Sequence, residues 1–248
     1  MKVSEIYEFL DKLSPFDAQE EWDNSGLNLG SFDDEFDKIY ISLDLDLDLV
    51  QDLSSNSLVL LHHPLIFKPL KSINYDSYST KILRELIRKN ISLIALHTNF
   101  DLSHLNAHVL NEILGLKVYK KDDFLLYAKL DKENQDFDIF YKKVSKDLQL
   151  EQSPFVKCKE KIKNIAFCTG AGMSLLSKVQ ADCFLTGDIK YHEAMEAKAR
   201  GISLIDIKHF ESEKYFSPLL FALLEKYLKK NKLKAIMTNS ENPFTYKI

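Results

Sequence analysis

Two adjacent histidines, His62 and His63, follow an apolar run in the segment LVLLHHPLIF at positions 58–67. An apolar run of this length predicts a buried strand, and Pro64 is the residue that would end it. Neighbouring side chains on a regular strand point to opposite faces. The pair is therefore either a strand cap beside a solvent-facing ring, or two metal ligands brought together by a turn of the backbone.

Three further segments that follow or end predicted strands carry side chains of metal-binding types: His97 and Asp101 in LHTNFD, Asp188 and His192 in TGDIKYHE, and His209 and Glu213 in IKHFESE. Functional groups in open α/β sheets collect beyond the carboxyl ends of the strands. His209 and Glu213 stand four residues apart, so a helical turn would place both on one face. Histidine and carboxylates without cysteine suit divalent zinc, manganese or iron, and five such ligands can hold two ions if a carboxylate bridges them.

Each of these patterns also has a structural interpretation. Histidine pairs at strand ends are more often structural, and an aspartate after a strand usually caps a helix or a turn. His104 and His108 have helical metal-ligand spacing too, but they lie within a helix and are expected on a solvated face. CTGAGMS at 168–174 lacks the lysine of a P-loop, which favours a tight turn over an anion contact through its N–H groups. The recurrence of metal-type residues at several strand ends favours a metal site.

The elements that must position these residues are short apolar strands alternating with helices of about three turns. This rhythm covers residues 1–117, changes over 118–160, and returns over 161–248. The segments RKNISLIALHTNFD and ARGISLIDIKHFES share a layout, which suggests an internal duplication. We therefore predict an α/β protein with an N-terminal half, a connecting α+β segment and a C-terminal half. The two similar, three-layered halves, with mixed sheets, would face each other and pack as one globular unit.

The composition excludes several classes of protein. The chain has 248 residues, 45% of them hydrophobic, and a formal net charge of −4 without a polybasic arm, which disfavours nucleic acid as a partner. The N-terminal residues do not resemble a signal peptide, and no run approaches the ~18 apolar residues of a membrane span. Three cysteines outside any C-x-x-C pair indicate buried thiols. A cytoplasmic location is expected.

Several motifs carry a resemblance to a known family. The segment PFDAQEEWDNSGLNLG at 15–30 has the pattern of an N-terminal signature, and HHPLIF, LHTNFD, TGAG, TGDIKYHEA and HFESE follow in a matching order. Together they resemble the Nif-three-like family, also called the GTP cyclohydrolase I type 2 family. The resemblance covers nearly the whole chain, and W-D-N-x-G-L together with H-H-P is more specific than any single spacing.

The resemblance implies a dinuclear metal centre in a cleft between two α/β halves and a ring-shaped homo-oligomer, commonly a hexamer. The metal ligands of the family carry over onto His62, His63, Asp101, His209 and Glu213. Two departures bear on substrate contacts: Thr169 stands where the family usually has glycine, and LSHL at 102–105 replaces a glycine-rich segment. Trp22, Asp23 and Asn24 are expected to shape the loop and the cleft wall.

The activity implied by the resemblance is that of a metal-dependent hydrolase. It would open the guanine imidazole ring of GTP at C8, release formate and lead to 7,8-dihydroneopterin triphosphate. His97 or His192 would either move protons or orient a ligand, and we favour the second role for His97. Lys68, Lys71 and Lys190 are the basic residues nearest in sequence for a triphosphate. A metal-binding scaffold or regulatory ring remains open, as does a phosphoesterase or amidohydrolase using the same ions.

Overall fold

A computed structural model describes residues 1–130 and 135–245. Residues 131–134 of the predicted connecting segment, and the last three residues of the predicted C-terminal half, lie outside this description. The chain divides into two compact units, the first formed by Met1–Leu102 and Phe216–Glu241, the second by Ser103–Tyr215 with the chain from Asn242. Residues 118–160 fall within the second unit, and the last strand returns to the sheet of the first unit.

The strands correspond to the short apolar segments of the sequence. In the described residues they are β1 (Gly26–Leu29), β2 (Lys38–Ser42), β3 (Ser57–Leu61), β4 (Ser92–Ala95), β5 (Val118–Asp122), β6 (Leu125–Lys129), β7 (Gln135–Asp136), β8 (Phe155–Val156), β9 (Lys161–Ile162), β10 (Asn164–Phe167), β11 (Cys183–Thr186), β12 (Ser203–Asp206) and β13 (Lys234–Met237). Every residue of β3, β4, β11 and β12 is buried, as expected for inner strands covered on both faces.

The helices alternate with the strands along most of the chain. They are α1 (Val3–Leu13), α2 (Leu47–Asp52), α3 (Tyr78–Arg88), α4 (Thr98–Phe100), α5 (Asn106–His108), α6 (Phe137–Asp147), α7 (Tyr191–Ala199), α8 (His209–Glu213) and α9 (Phe216–Asn231). Two π-helical turns, Asp101–Leu105 and Val109–Ile113, extend α4 and α5, and Phe16–Ala18 and Gly172–Lys178 form 3₁₀ turns. Asp46 caps α2 by accepting a 2.7 Å hydrogen bond from the Leu49 N–H, which satisfies one of the unpaired donors at the helix start.

The sheet of the first unit has the strand order β1-β4-β3-β2-β13, with β1 antiparallel and the other strands parallel. Val59 and Leu61 face a cluster formed with α2 and α3. The alternate residues Leu58 and Leu60 are equally buried, and α9 packs against β2 and β13. The sheet is therefore the middle layer of three, and the carboxyl ends of β3 and β4 lie at one edge.

The sheet of the second unit has the order β5-β6-β10-β11-β12-β8. Its centre, β10-β11-β12, is parallel, whereas β6 and β8 pair with it in antiparallel fashion. A separate two-stranded ladder joins β7 and β9. The carboxyl ends of β10, β11 and β12 carry the segments TGAG, TGD and IKHFESE.

The two ISLI segments lie on corresponding strands, β4 and β12. Each of these strands pairs in parallel with an inner neighbour, β3 or β11, and in antiparallel fashion with a short edge strand, β1 or β8. The predicted α/β class with two similar halves and mixed sheets is confirmed.

The described cysteines are thiols outside any disulfide; Cys168 and Cys183 are buried as predicted, whereas Cys158 is half-buried. Among the described helices, none is both long enough and apolar enough to cross a membrane.

Candidate metal centre

The backbone turns at the end of β3, where the paired histidines lie. The N–H groups of His62 and His63 donate to the carbonyl oxygens of Ser42 and Leu43, at 3.1 Å each. In a regular strand two successive N–H groups would point to opposite neighbours. Because both bond to the same segment, the backbone is bent here, and the two imidazoles come within 4.9 Å of each other, centroid to centroid.

Each imidazole of the first unit is held at its Nδ1 atom. His62 Nδ1 lies 2.8 Å from the Leu96 carbonyl oxygen, His63 Nδ1 lies 2.7 Å from Asp44 Oδ1, and His97 Nδ1 lies 2.7 Å from Asp23 Oδ1. Carbonyl and carboxylate oxygens accept hydrogen bonds, so Nδ1 carries the proton in all three rings. This tautomer makes Nε2 the nitrogen with which each ring can bind a metal.

The three rings form one group. One ligand nitrogen from each of His62, His63 and His97 lies within 4.8 Å of the other two. The carboxylate of Asp101 joins them, since its Oδ1 lies 3.5 Å from His62 Nε2. The sequence-predicted residues of this unit are thus brought together, and His97 is part of the group itself.

Asp23 ties the loop before β1 to the end of β4. Its side chain is 0% exposed, and its Oδ2 accepts hydrogen bonds from the Thr98 N–H, the Thr98 hydroxyl and the Ser25 hydroxyl. Burial opposes the charged carboxylate, but the hydrogen bonds from His97 and Thr98 outweigh it and hold the pKa of Asp23 well below its usual range. Asp23 therefore stays ionised and fixes the orientation of His97.

The second unit carries its own group at the end of β12. His209 and Glu213 lie one turn apart on α8, and His209 Nε2 is 3.0 Å from Glu213 Oε2. His209 Nδ1 lies 2.7 Å from Asp188 Oδ2, at the end of β11. Burial opposes the charged ring, but the carboxylates of Glu213 and Asp188 outweigh it and raise the pKa of His209 to about 11.

The TGAG segment shapes this second group. A methyl group at Gly170, whose φ is +59°, would overlap the Glu213 carboxylate, so only glycine lets Glu213 approach this closely. The N–H groups of Thr169, Gly170 and Gly172 donate to side chains of Asn106, Ser212 and Thr186. The segment is therefore a tight strand-to-helix turn, and these three N–H groups are already used inside the unit.

His192 lies apart from the group at His209. It is exposed on the first turn of α7, and its ring contacts Tyr191 at a centroid distance of 5.3 Å. It belongs to none of the clusters of metal-type side chains found among the described residues.

The donor set fits a divalent transition metal. Imidazole nitrogens and carboxylate oxygens, without thiolates, suit zinc, manganese or iron(II). Ligating histidines in metal sites commonly donate their other ring N–H to a carboxylate or a carbonyl, and His62, His63, His97 and His209 all do so. The described side chains could therefore hold a metal ion.

The sequence did not reveal two of the groups that hold these rings. Asp44 stands in the alternating stretch LDLDLDL, where nothing separates it from Asp46 and Asp48. Asp23 was expected only to shape its loop. The sequence predicts Asp188 as a metal-type residue at a strand end, and in the structure its Oδ2 lies 2.7 Å from His209 Nδ1. A strand-end histidine that binds a metal through Nε2 needs an acceptor for its Nδ1 proton, and this need is the signal for such partners. Which aspartate meets that need depends on the tertiary structure.

Comparison with known proteins places the chain among relatives of similar length. A protein of Campylobacter jejuni named GTP cyclohydrolase 1 type 2 homolog is 51% identical over 247 residues, covering 99% of this chain and 100% of the relative. A Helicobacter pylori protein named GTP cyclohydrolase 1 type 2 is 42% identical over 226 residues, covering 91% and 92%.

Solved structures also match nearly the whole chain. The crystal structure of a hypothetical protein from Staphylococcus aureus matches with a TM-score of 0.86 and 27% identity over 99% of both chains. Reduced HcgD from Methanocaldococcus jannaschii matches with a TM-score of 0.76 and 26% identity over 96% of this chain and 97% of its own. The model of the family Duf34/NIF3 (NGG1p interacting factor 3) matches residues 1–243, and the chain belongs to this family.

Proposed function

We propose that this chain is a metal-dependent hydrolase that acts on a nucleotide, and that its reaction is the opening of the guanine imidazole ring of GTP. The observation that carries the metal-dependent part is the group formed by His62, His63 and His97, in which every Nδ1 atom is held by an acceptor. The names of the relatives supply the nucleotide. Because orienting three buried or half-buried imidazoles in this way has no evident use in packing, ligand binding is the economical explanation.

The proposal assigns five side chains to two divalent ions, zinc, manganese or iron. They are His62, His63 and Asp101 of the first unit and His209 and Glu213 of the second. This assignment is supported by the donor chemistry within each unit and by the membership of the chain in the Duf34/NIF3 family. Such ions would lower the pKa of a bound water far enough to supply hydroxide near neutral pH.

His97 would orient the neighbouring ligands, which is the role that we favour for it, and it is also a candidate for moving protons. Its Nδ1 atom is held by Asp23, so Nε2 is the ring nitrogen that would take part in a proton transfer. Asp23 also prevents the ring from turning, because it is itself fixed by Thr98. His192 stays in the proposal as a second proton carrier on the strength of its motif alone, and Lys68, Lys71 and Lys190 stay as candidates for the triphosphate.

The overall reaction would use water to break the N7–C8 and C8–N9 bonds and release C8 as formate. The ribose would then rearrange and condense with the freed amine, losing one water, to close the dihydropterin ring with its triphosphate intact. The hexameric ring implied by the family resemblance is part of the same proposal, and light scattering on the purified protein measures it.

The test is to incubate metal-loaded protein with GTP and to follow formate release and pterin fluorescence. We expect the wild type to form both products and the variants His63→Ala and Glu213→Ala to lose at least about a hundredfold in rate, since each removes a metal ligand. His104→Ala, which removes a histidine outside the described clusters, is the matched control and should keep its activity.

Other outcomes would redirect the proposal. Equal background rates in the wild type and both ligand variants would refute the cyclohydrolase reaction. Release of phosphate without formate would indicate a phosphoesterase. Tight metal binding with no turnover of any nucleotide would favour the scaffold or regulatory role.

A further inference from the structure

Two large aromatic side chains stand exposed beside His97. Trp22 is 57% exposed and Phe67 is 43% exposed. Scattered apolar side chains on a surface are ordinary, but adjoining ones next to a cluster of polar ligand groups mark a binding site. Trp22 and Phe67 are such a pair.

The pair forms one side of the approach to the imidazole group. The two rings are 5.7 Å apart and inclined at 59°. Both present their faces or edges to His97, at 6.0 Å from Trp22 and 6.1 Å from Phe67, with inclinations of 75° and 79°. A flat molecule lying against either ring would therefore stand steeply inclined to the imidazole of His97.

The loops that carry the pair are fixed to each other and to β4. The Asn24 side chain donates a 2.6 Å hydrogen bond to the Ile66 carbonyl oxygen, which joins the loop of Trp22 to the loop of Phe67. Asp23, directly after Trp22, is anchored to His97 and Thr98. The aromatic pair is therefore preorganised, which lowers the entropy cost of binding.

We propose that Trp22 and Phe67 form a stacking wall that binds a planar heteroaromatic ring of the purine type and directs its edge to His97. Aromatic side chains bind such rings through their π-faces, whereas a sugar or a bare phosphate gains little from them. This inference rests on the proposed nucleotide substrate and adds the residues that recognise its base. It also gives a physical role to the W-D-N segment, in which Asp23 and Asn24 hold the aromatic residue in place.

The test uses the fluorescence of Trp22, which is the only tryptophan in the chain. The full-length protein is titrated with guanosine, with GTP and with inorganic triphosphate, first as purified and then after chelation of its metals. We expect guanosine and GTP to quench the emission in both states, and triphosphate to leave it unchanged. Binding that persists after chelation would show that the base is recognised independently of the metals that hydrolysis needs.

Variants then locate the binding surface. Phe67→Leu should weaken guanosine binding about tenfold, which is the loss expected for one stacked ring. Trp22→Leu, followed by equilibrium dialysis, should weaken it at least as much. Tyr119→Leu removes an aromatic ring that is 50% exposed in the second unit and should bind guanosine like the wild type. Thermal melting of each variant checks that it is folded.

Four results would overturn the inference. One is equal quenching by triphosphate, which would show an anion site, and another is unchanged affinity in Phe67→Leu. A third is an emission maximum typical of a buried indole that shifts on dilution, which would show that a second copy covers the wall. The last is the absence of any response to guanosine. If formate is still released from GTP in that case, the hydrolase proposal stands and only the stacking wall fails.

Discussion

The strands β4 and β12 lead into the same kind of helix start in the two units of the molecule. In the first unit His97 is followed four residues later by Asp101, and in the second His209 is followed four residues later by Glu213. The neighbouring strands differ. β3 ends in His62 and His63, whereas β11 ends in glycine and a carboxylate, Asp188.

This difference changes the chemistry of the two strand ends. The first unit gathers three imidazoles and one carboxylate, a nitrogen-rich set, whereas the second places a single imidazole between two carboxylates. Imidazole favours metals such as zinc and iron, and carboxylate oxygens favour harder ions such as manganese. A shared scaffold therefore provides one histidine–acid pair in each unit, and the adjoining strand determines which donor atoms accompany it.

The largest effect is expected from Gly170→Ala. The added methyl group meets the Glu213 carboxylate, with His209 Nε2 next to it, and the positive φ adds strain. We expect a loss of about 2–4 kcal/mol in the free energy of unfolding and a reduced metal content. Urea denaturation and elemental analysis measure these quantities.

Gly201→Ala is the control for that substitution. Its φ is +71°, but nothing lies within 4 Å of the added methyl group, so only the backbone strain of about 1 kcal/mol should appear. If the two variants lose the same stability and keep their metal, the Glu213 carboxylate is not held against Gly170 in the folded protein.

The second-largest effect is expected from substitution of the carboxylates that hold His97 and His209. Asp23→Asn places an amide where five donors converge on a side chain that is 0% exposed. We expect a loss of metal affinity of about 10–100-fold, measured by competition with a chelator. Asp188→Asn acts on a side chain that is 54% exposed, where water can replace the lost hydrogen bond, so the loss should stay below about tenfold. Equal losses would mean that the two rings are oriented by something other than these carboxylates.

The contrast between Asp23 and Asp188 shows what the sequence could and could not predict. Periodicity predicted the α/β class, and strand-end chemistry selected His62, His63, Asp101, His209 and Glu213 as metal-type residues. The placement of His209 and Glu213 on one helical face followed from their spacing. The ligand set as a whole was implied by the family resemblance.

The partners from distant parts of the chain could not be predicted in this way. Asp23 reaches His97 across 74 residues, and the choice of Asp44 over its neighbours depends on the bend at His63. The return of β13 to β2 likewise depends on where α9 packs, which no local pattern encodes. Hydrogen-bond geometry of this kind is a property of tertiary structure, because many aspartates have the same sequence surroundings.

A smaller effect on stability is expected from substitution of Asp182, which lies at the opposite end of β11 from Asp188. Its Oδ2 accepts the N–H groups of Lys163 and Asn164, at 3.0 and 2.8 Å, and its Oδ1 lies 2.5 Å from Lys159 Nζ. Burial opposes the charge, but these hydrogen bonds outweigh it and lower the pKa of Asp182 below its usual value. The stabilisation is therefore complete above the unfolded-state pKa of about 3.9 and is lost as the pH falls below it.

Asp182→Asn should cost about 1 kcal/mol near neutral pH and leave metal affinity unchanged. Unfolding curves of the two proteins, recorded from neutral pH down to acid, should converge as the pH falls through the depressed pKa. A change in metal affinity would contradict the view that carboxylates at this end of the sheet only stabilise the fold.

The smallest effect concerns the residue before His209. Lys208 has φ +62° and ψ 152°, a region that is populated almost exclusively by glycine and costs a side chain of order 1–3 kcal/mol. Leu96, before His97, is not among the described residues with positive φ. The path from β12 into α8 is therefore strained at a point where the path from β4 into α4 is not. Lys208→Gly should raise the free energy of unfolding by about 0.5–1 kcal/mol, because the flexibility of glycine in the unfolded chain offsets part of the relieved strain.

Lys208→Ala distinguishes the contribution of the backbone to stability from that of the side chain, since it removes the lysine contacts but keeps the positive φ. It should not be more stable than the wild type, whereas the glycine variant should be, and denaturation midpoints distinguish the two. The hydrogen bond from the N–H of residue 208 to Asp206 Oδ1, 2.9 Å long, is available to all three proteins and holds the turn. Were the alanine variant stabilised as much as the glycine variant, the gain would come from the lost lysine side chain, and the two strand ends would not differ in strain.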